Sequence, residues 1–162
     1  MTNMDIITES ENRTAFVARR LAGVLRRGDV VCLHGDLGMG KSVFARAAIR
    51  HLCADQALDV PSPTFTLVQI YDTAQCPVWH FDLYRMTDAE DIYELGWDDA
   101  LADAITIIEW PERLGGLIPR DKLDIVLEAP QADKRRITLT PHGAWRERVI
   151  PPLTMPDQES GI

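Results

Sequence analysis

Cysteine is scarce in this sequence, and its three occurrences, Cys32, Cys53 and Cys76, are widely spaced. An odd number of cysteines without metal-ligand spacing predicts reduced thiols rather than a disulfide framework or a zinc site. No apolar run approaches the roughly 18 residues that a membrane-spanning helix needs, and the N-terminal residues have no secretory pattern. We therefore expect a cytoplasmic protein that has no membrane partner.

Positive charge is also in short supply, because 17 Lys and Arg residues face 25 Asp and Glu residues, for a net charge of −8. Such a balance argues against a protein that coats duplex nucleic acid, but it permits an indirect role on RNA through a partner. A chain of 162 residues with 46% hydrophobic residues is long enough to bury a core. We predict one domain over residues 1–150 and a disordered tail over residues 151–162.

A glycine-rich stretch over residues 34–42 fits the phosphate-binding pattern G-x-x-x-x-G-K-[ST]. A short apolar strand at residues 29–33 precedes it and a helical pattern at residues 42–53 follows it, which is the context that the motif requires. The glycines allow backbone N–H groups to converge on phosphate oxygens at a helix N-terminus. Nucleotide contacts are predicted for Gly35, Asp36, Leu37, Gly38, Met39, Gly40, Lys41, Ser42 and Val43.

Within this loop, Lys41 is predicted to contact the outer phosphates and the Ser42 hydroxyl to bind Mg²⁺. A magnesium-nucleotide site also needs carboxylates at strand ends, and Asp82 and Glu109 each end an apolar run. Either can be the metal-binding acid, and the alternative for each is a surface or ion-paired carboxylate. Thr64 lies in a proline-rich segment where a switch threonine would sense the γ-phosphate, and its alternatives are an ST-turn or the start of a strand.

Two neighbours of these acids are open to more than one interpretation. His80 lies two residues before Asp82 and shares its strand face, although a lone histidine is more often structural. Arg85 is a candidate for neutralising phosphate charge, but an ion pair with a nearby carboxylate is the favoured interpretation.

The rest of the chain alternates short strands with helices. Thr8 and Glu11 have capping-box spacing and predict a helix that runs to about Arg27 and ends at Gly28. A second capping box at residues 87–90 predicts another helix. Strand-like residues 67–71 and 78–84 are close enough to form an antiparallel hairpin. Further strands are predicted at residues 4–7, 104–109, 123–127 and 136–140.

These elements predict a three-layer α/β domain with a central mixed sheet. Its parallel core would hold the nucleotide at the C-terminal ends of the strands, and the hairpin would extend one side. The first helix has a basic face, which we interpret as solvated, with a docking patch for an acidic partner as the alternative; its residues are Arg19, Arg20, Arg26 and Arg27.

Four motifs in this order and spacing resemble the TsaE family, also called YjeE. They are the loop at residues 35–42, the segment at residues 62–68, His80-Phe81-Asp82-Leu83-Tyr84-Arg85, and Glu109-Trp110-Pro111-Glu112. The resemblance covers roughly residues 5 to 140. Met39 stands where the family usually has a small residue; since the backbone N–H at this position binds phosphate, we expect little loss.

The resemblance implies a small P-loop, Mg-dependent ATPase for N6-threonylcarbamoyladenosine modification of tRNA next to the anticodon. Its implied partners are TsaB and TsaD, while TsaC or its variant supplies the activated threonylcarbamoyl group, and tRNA is contacted only through the complex. The family's acids fall on Asp82 and Glu109, its switch-like threonine on Thr64, and its metal-binding hydroxyl on Ser42. Adenine recognition is carried to the segment near Glu11.

Two other functions use the same loop. A small-molecule kinase would need a substrate pocket and usually an arginine-bearing lid, and no arginine-rich lid follows the loop here. A nucleotide-gated binding module with negligible turnover differs only in rate, so the sequence leaves it open.

Overall fold

The computed structural model describes residues 1–154, whose regular elements follow the predicted alternation of strands and helices. Short 3-10 helices lie at Ala89–Leu95, Pro111–Leu117 and Gly143–Glu147. The α-helices and strands are β1 (Met4–Thr8), α1 (Glu11–Ala22), β2 (Val30–His34), α2 (Lys41–Leu52), β3 (Val68–Tyr71), β4 (Val78–Asp82), α3 (Trp97–Asp103), β5 (Ile105–Glu109), β6 (Lys122–Gln131) and β7 (Lys134–His142).

The strands form one mixed sheet in the order β1-β7-β6-β2-β5-β4-β3. Strands β6, β2, β5 and β4 are parallel, β3 pairs antiparallel with β4, and β7 pairs antiparallel with both β6 and β1. The predicted hairpin and the predicted mixed sheet with a parallel core are therefore confirmed. The carboxyl ends of β2, β5 and β4 meet at one edge, which is where ligands bind in open α/β sheets.

Apolar side chains cover the two faces of this sheet to different extents. Helices α1 and α2 pack over one face, where Leu33, Ile49 and Ile107 are among the buried residues. On the other face, a second cluster around Phe81 and Trp97 joins β2, β4 and β5 to α3 and the neighbouring 3-10 segments. Within residues 1–154 this second cluster includes no residue of β1, β6 or β7. The α/β architecture thus has three layers over one half of the sheet and two over the other.

The first helix is shorter than the sequence predicted. Its N-cap is Ser10, whose hydroxyl accepts a hydrogen bond from the Arg13 N–H at 3.2 Å, and not Thr8. Thr8 is instead the last residue of β1, where it is buried and hydrogen-bonds Thr14 at 2.8 Å. The helix ends at Ala22 rather than near Arg27. Strand pairing with β7 determines the conformation of Thr8, so the local capping signal was misleading at this position.

The second helical stretch also begins one residue later than predicted. Asp88, and not Thr87, caps it by accepting a hydrogen bond from the Glu90 N–H at 3.1 Å. The first part is the 3-10 helix Ala89–Leu95, and α3 follows after Gly96.

The C-terminal residues that the structure describes are packed against the body of the protein. Leu153 is buried in the larger apolar cluster, and Arg20 donates a hydrogen bond to the Pro152 carbonyl at 3.1 Å. Arg148 binds both carboxylate oxygens of buried Asp29, at 2.8 and 3.0 Å. Packing therefore continues past the predicted domain boundary at residue 150, while residues 155–162 of the predicted tail lie outside the described residues.

Two expectations from the sequence concern reduced cysteines and the lack of a membrane-spanning helix. Cys32, Cys53 and Cys76 are free thiols, and burial, reinforced by the charge of Asp124, raises the pKa of Cys32 to about 12. In residues 1–154 no helix combines the length and the apolar character needed to cross a bilayer.

Candidate functional site

The loop between β2 and α2 has the backbone conformation that its glycines predict. The φ angles of Gly35, Gly38 and Gly40 are +148°, +82° and +104°. A Cβ atom on Gly35 would lie 2.7 Å from the carbonyl oxygen of Leu127 on β6, so the loop passes too close to this strand for any side chain. Helix α2 starts directly at Lys41, so the unpaired N–H groups of its first turn adjoin the loop.

A cavity of about 240 Å³ opens at this loop, and we call it the acidic cavity. Eight of the residues predicted to act on nucleotide or metal line it together, although they come from four separate segments of the chain. Two further residues of its wall, Ser62 and Trp110, were not predicted. Among the residues that the structure describes, its lining is Leu37, Gly38, Gly40, Lys41, Ser42, Ser62, Thr64, Asp82, Glu109 and Trp110.

Two buried carboxylates lie side by side at the ends of adjacent parallel strands. Asp82 and Glu109 are Cα partners in the β4–β5 register and are 4% and 2% exposed. Oδ2 of Asp82 accepts hydrogen bonds from the hydroxyls of Thr64 at 3.0 Å and Ser62 at 3.4 Å, while Oδ1 accepts one from the Tyr84 N–H at 3.1 Å. Asp82 therefore ties the proline-rich segment to the strand that carries the acid.

The Lys41 ammonium group faces these carboxylates from the start of α2. It donates a hydrogen bond to the Gly35 carbonyl, and its Nζ lies 3.3 Å from the centroid of the Trp110 ring. Burial lowers the pKa of Lys41, and the negative charges of Glu109, Glu112, Asp82 and Asp36 oppose that shift. The loop carbonyl and the indole ring together hold the ammonium group at the mouth of the glycine loop.

The remaining neighbours of the acids differ in how well the sequence anticipated them. His80 contacts Glu109, with 2.7 Å between Nε2 and Oε2, and both side chains are buried. The Cζ atom of Arg85 lies 4.6 Å from the centroid of the Phe65 ring. Among residues 1–154, Arg85 forms no salt bridge. The ion pair favoured for Arg85 is therefore wrong; the exposed Phe65 ring is its contact.

A second cavity, of about 220 Å³, lies beyond the glycine loop, and we call it the hairpin cavity because the β6–β7 turn forms one wall. Three residues predicted to bind nucleotide, Glu11, Met39 and Val43, line it, and Gly38 and Gly40 line both cavities. The other lining residues are Thr8, Ser10, Thr14, Ala132, Asp133 and Arg135.

Two predicted contact residues of the loop line neither cavity. Gly35 supplies the carbonyl that Lys41 binds, and Asp36 is exposed, its own carbonyl accepting a hydrogen bond from the Met39 N–H at 3.3 Å. Both residues contribute to the shape of the loop.

The parallel strand, glycine loop, helix and strand-end acids together define a P-loop NTPase-like α/β protein. The solved structure of YdiB from Bacillus subtilis has this fold, with a TM-score of 0.73 and 25% sequence identity over 90% of each chain.

Comparison with protein families makes the assignment more specific. The model of the family described as threonylcarbamoyl adenosine biosynthesis protein TsaE matches residues 8–137. A Rickettsia bellii relative named tRNA threonylcarbamoyladenosine biosynthesis protein TsaE is 39% identical over 140 residues, covering 86% of this chain and 96% of that protein. The protein of the same name from Bacillus subtilis is 31% identical over 154 residues, covering 94% of this chain and 95% of the relative. The chain belongs to the TsaE family, which confirms the resemblance carried by the four motifs.

Proposed function

We propose that this protein binds and hydrolyses ATP in the acidic cavity. The observation that carries the proposal is that a lysine and a serine hydroxyl at the end of the glycine-rich loop line the same cavity as two buried carboxylates from β4 and β5. The loop and the start of α2 supply N–H groups for phosphate oxygens, and Lys41 supplies positive charge. On binding, Lys41 exchanges its contact with the Gly35 carbonyl for the outer phosphates.

The donor groups of the acidic cavity suit Mg²⁺. Ser42, Asp82 and Glu109 offer only oxygen atoms, which this hard cation prefers. Throughout residues 1–154, no three His, Cys, Asp or Glu side chains are arranged to hold an ion by themselves. This agrees with a metal held by one or two carboxylates together with substrate phosphates rather than by a protein cage. When bound, Mg²⁺ would neutralise charge that develops on the phosphates.

In this proposal Asp82 has the task of orienting the attacking water, because its buried carboxylate lies in the wall of the acidic cavity. Its Oδ2 already accepts hydrogen bonds from Thr64 and Ser62, so the carboxylate and the proline-rich segment hold each other in position. A γ-phosphate in the cavity would compete for the Thr64 hydroxyl and so change the order of this segment, as in switch nucleotide hydrolases. Lys41, Asp82 and Thr64 are thus the catalytic residues of the proposal.

The hairpin cavity is the proposed site for the adenine base and ribose. It shares Gly38 and Gly40 with the acidic cavity, so a single nucleotide can extend across the loop from one to the other. Glu11 lines it at the start of α1, where the resemblance suggested base recognition. Its mixed lining of apolar and polar side chains is typical of nucleotide pockets.

We further propose that the ATPase serves N6-threonylcarbamoyladenosine modification of tRNA next to the anticodon, in the cytoplasm, together with the TsaB–TsaD pair. The relatives are named for this biosynthesis. A net charge of −8 favours contact with tRNA through partners rather than directly.

The central experiment is a reconstituted tRNA modification assay with and without this protein. We expect modification to require the protein, ATP and Mg²⁺, and ATP to yield ADP and inorganic phosphate. A phosphorylated metabolite among the products would support the small-molecule kinase instead. ATP binding without product formation, with and without partners, would support a nucleotide-gated binding module.

Partner dependence provides a further prediction. Among residues 1–154, no arginine lines the acidic cavity. Because a cation supplied in trans can accelerate hydrolysis roughly 10³–10⁵-fold, we expect slow turnover by the isolated protein. If ATP tightens binding of the partner pair by some factor, the partner pair must tighten binding of ATP by that same factor. Thr64→Ala removes the hydroxyl that donates to Asp82, and should reduce this coupling more than the basal ATP affinity.

The measurement is ATP affinity and turnover for the wild type and Thr64→Ala, each with and without TsaB–TsaD. Thr64→Ser keeps the hydroxyl and is the matched control. Equal wild-type values with and without the pair would leave an autonomous ATPase.

A further inference from the structure

His80 is the buried polar side chain next to the acidic cavity for which the proposed mechanism has no role. It lies on β4 and is 2% exposed, and its Nε2 is 2.7 Å from Oε2 of Glu109 on the neighbouring strand. Glu109 is equally buried and lines the cavity, whereas His80 does not line it. The histidine can therefore act on a ligand only through the carboxylate.

The surroundings of the ring determine which nitrogen carries the proton. Nδ1 of His80 is buried and has no hydrogen-bond partner among residues 1–154. A neutral imidazole has one N–H group and one acceptor nitrogen. A proton on Nε2 makes a hydrogen bond to the Glu109 carboxylate and leaves Nδ1 as an unpaired acceptor. A proton on Nδ1 alone would leave a buried donor unpaired, and the lone pair of Nε2 would repel the Glu109 oxygen. The geometry therefore places a proton on Nε2.

The hydrogen bond leaves Glu109 with one committed oxygen and one free oxygen. Among residues 1–154, Oε2 accepts from His80 and Oε1 has no hydrogen-bond partner. A carboxylate fixed in this way cannot turn so that both oxygens face the nearby Lys41, whose pKa already responds to the charge of Glu109. Ligating carboxylates in metal sites are usually held by such outer hydrogen bonds.

We propose that His80 is a positioning residue, which orients the Glu109 carboxylate so that Oε1 is presented to the metal bound with the nucleotide. This role rests on the proposed function, because Glu109 would otherwise have no metal to bind. His80 and Asp82 lie on the same face of β4, and the two residues have different tasks in this proposal.

The test compares four variants of the full chain. His80→Leu removes the donor, His80→Asn keeps a polar amide too short to reach Glu109, and His80→Gln restores an N–H near the position of Nε2. His142→Leu is the matched control, since His142 also contacts a carboxylate at 2.8 Å, that of Asp124, but lies outside the acidic cavity.

The primary measurement is Mn²⁺ binding, by electron paramagnetic resonance, in the presence of a non-hydrolysable ATP analogue, so that no turnover is needed. Loss of an outer partner of a metal ligand typically weakens metal binding by about 10- to 100-fold. We expect this loss in His80→Leu and His80→Asn, recovery in His80→Gln, and wild-type binding in His142→Leu. The Mg²⁺ concentration for half-maximal ATP turnover should shift in the same order.

Two further measurements separate positioning from stability. In a Glu109→Ala background, His80→Asn should cause no further loss of Mn²⁺ binding, because the histidine acts only through that carboxylate. The ¹⁵N signals of the His80 ring should show a proton on Nε2. Urea unfolding identifies any variant that is not folded. If His80→Leu does not fold, the comparison of His80→Asn with His80→Gln is sufficient.

The inference is overturned if folded His80→Asn binds Mn²⁺ as tightly as His80→Gln, or if Nε2 of His80 carries no proton. A wild-type protein that binds no Mn²⁺ with the nucleotide analogue would instead refute the proposed function itself.

Discussion

Adding one methyl group at three different glycines should destabilise the protein to three different extents. Gly116 has no positive φ, and a Cβ atom added there would meet open space, so Gly116→Ala should change the free energy of unfolding by less than about 0.5 kcal/mol. Gly38 also has open space, but its φ is +82°. A left-handed backbone costs an alanine roughly 1–2 kcal/mol, so Gly38→Ala should be destabilised by about that amount.

Gly35 combines both problems. Its φ is +148°, and its added Cβ would lie 2.7 Å from the Leu127 carbonyl oxygen, which belongs to the backbone of a central strand and cannot turn aside. Overpacking of this kind costs about 1–3 kcal/mol beyond the backbone term. We therefore expect Gly35→Ala to lose about 2–5 kcal/mol in total.

Urea unfolding measures these differences. With m-values of about 1–3 kcal/mol/M for small proteins, Gly35→Ala should lower the midpoint by roughly 1 M or more. Nucleotide affinity should fall in the same order, because displacement of the loop moves its N–H groups. Equal destabilisation by Gly35→Ala and Gly38→Ala would show that the approach to Leu127 has no energetic effect and would refute the reasoning.

Three further substitutions test the site and its support. Lys41→Ala should abolish ATP turnover and weaken ATP binding, measured with a fluorescent nucleotide, since the charge on the outer phosphates is lost. Asp82→Ala should reduce hydrolysis more than binding, and a variant with wild-type turnover at saturating ATP would contradict its role. Arg148→Ala leaves buried Asp29 without its cation and should cost about 3–5 kcal/mol in urea unfolding, with nucleotide affinity retained in the folded protein.

The sequence was sufficient to predict the parts of the protein that local patterns determine. Alternating and continuous apolar runs indicated the strands, and the loop pattern located Lys41 at the start of α2. Placing Asp82 and Glu109 together followed from parallel pairing, because the ends of neighbouring parallel strands meet at one edge.

What the sequence missed depends on tertiary contacts. Thr8 has the spacing of an N-cap, but pairing with β7 places it in a strand. Trp110 follows Glu109 directly, yet only its left-handed backbone, with a φ of +57°, and its contact with Lys41 reveal its place in the cavity. Asp133 and Arg135 join Glu11 in the hairpin cavity across more than 120 residues of chain, for which no local signal exists.

Because β1 pairs with β7, the two cavities should form at different times during synthesis. Within residues 1–154, every lining residue of the acidic cavity lies between positions 37 and 110, so a ribosome-bound chain that has emerged to that point already contains them all. The hairpin cavity needs Arg135, and Met4 finds its partner Leu139 only when most of the chain is available. Contacts this distant in sequence form late, because a long loop must close before they contribute. The hairpin cavity, where the base is proposed to bind, should therefore form after the acidic cavity in a newly made molecule.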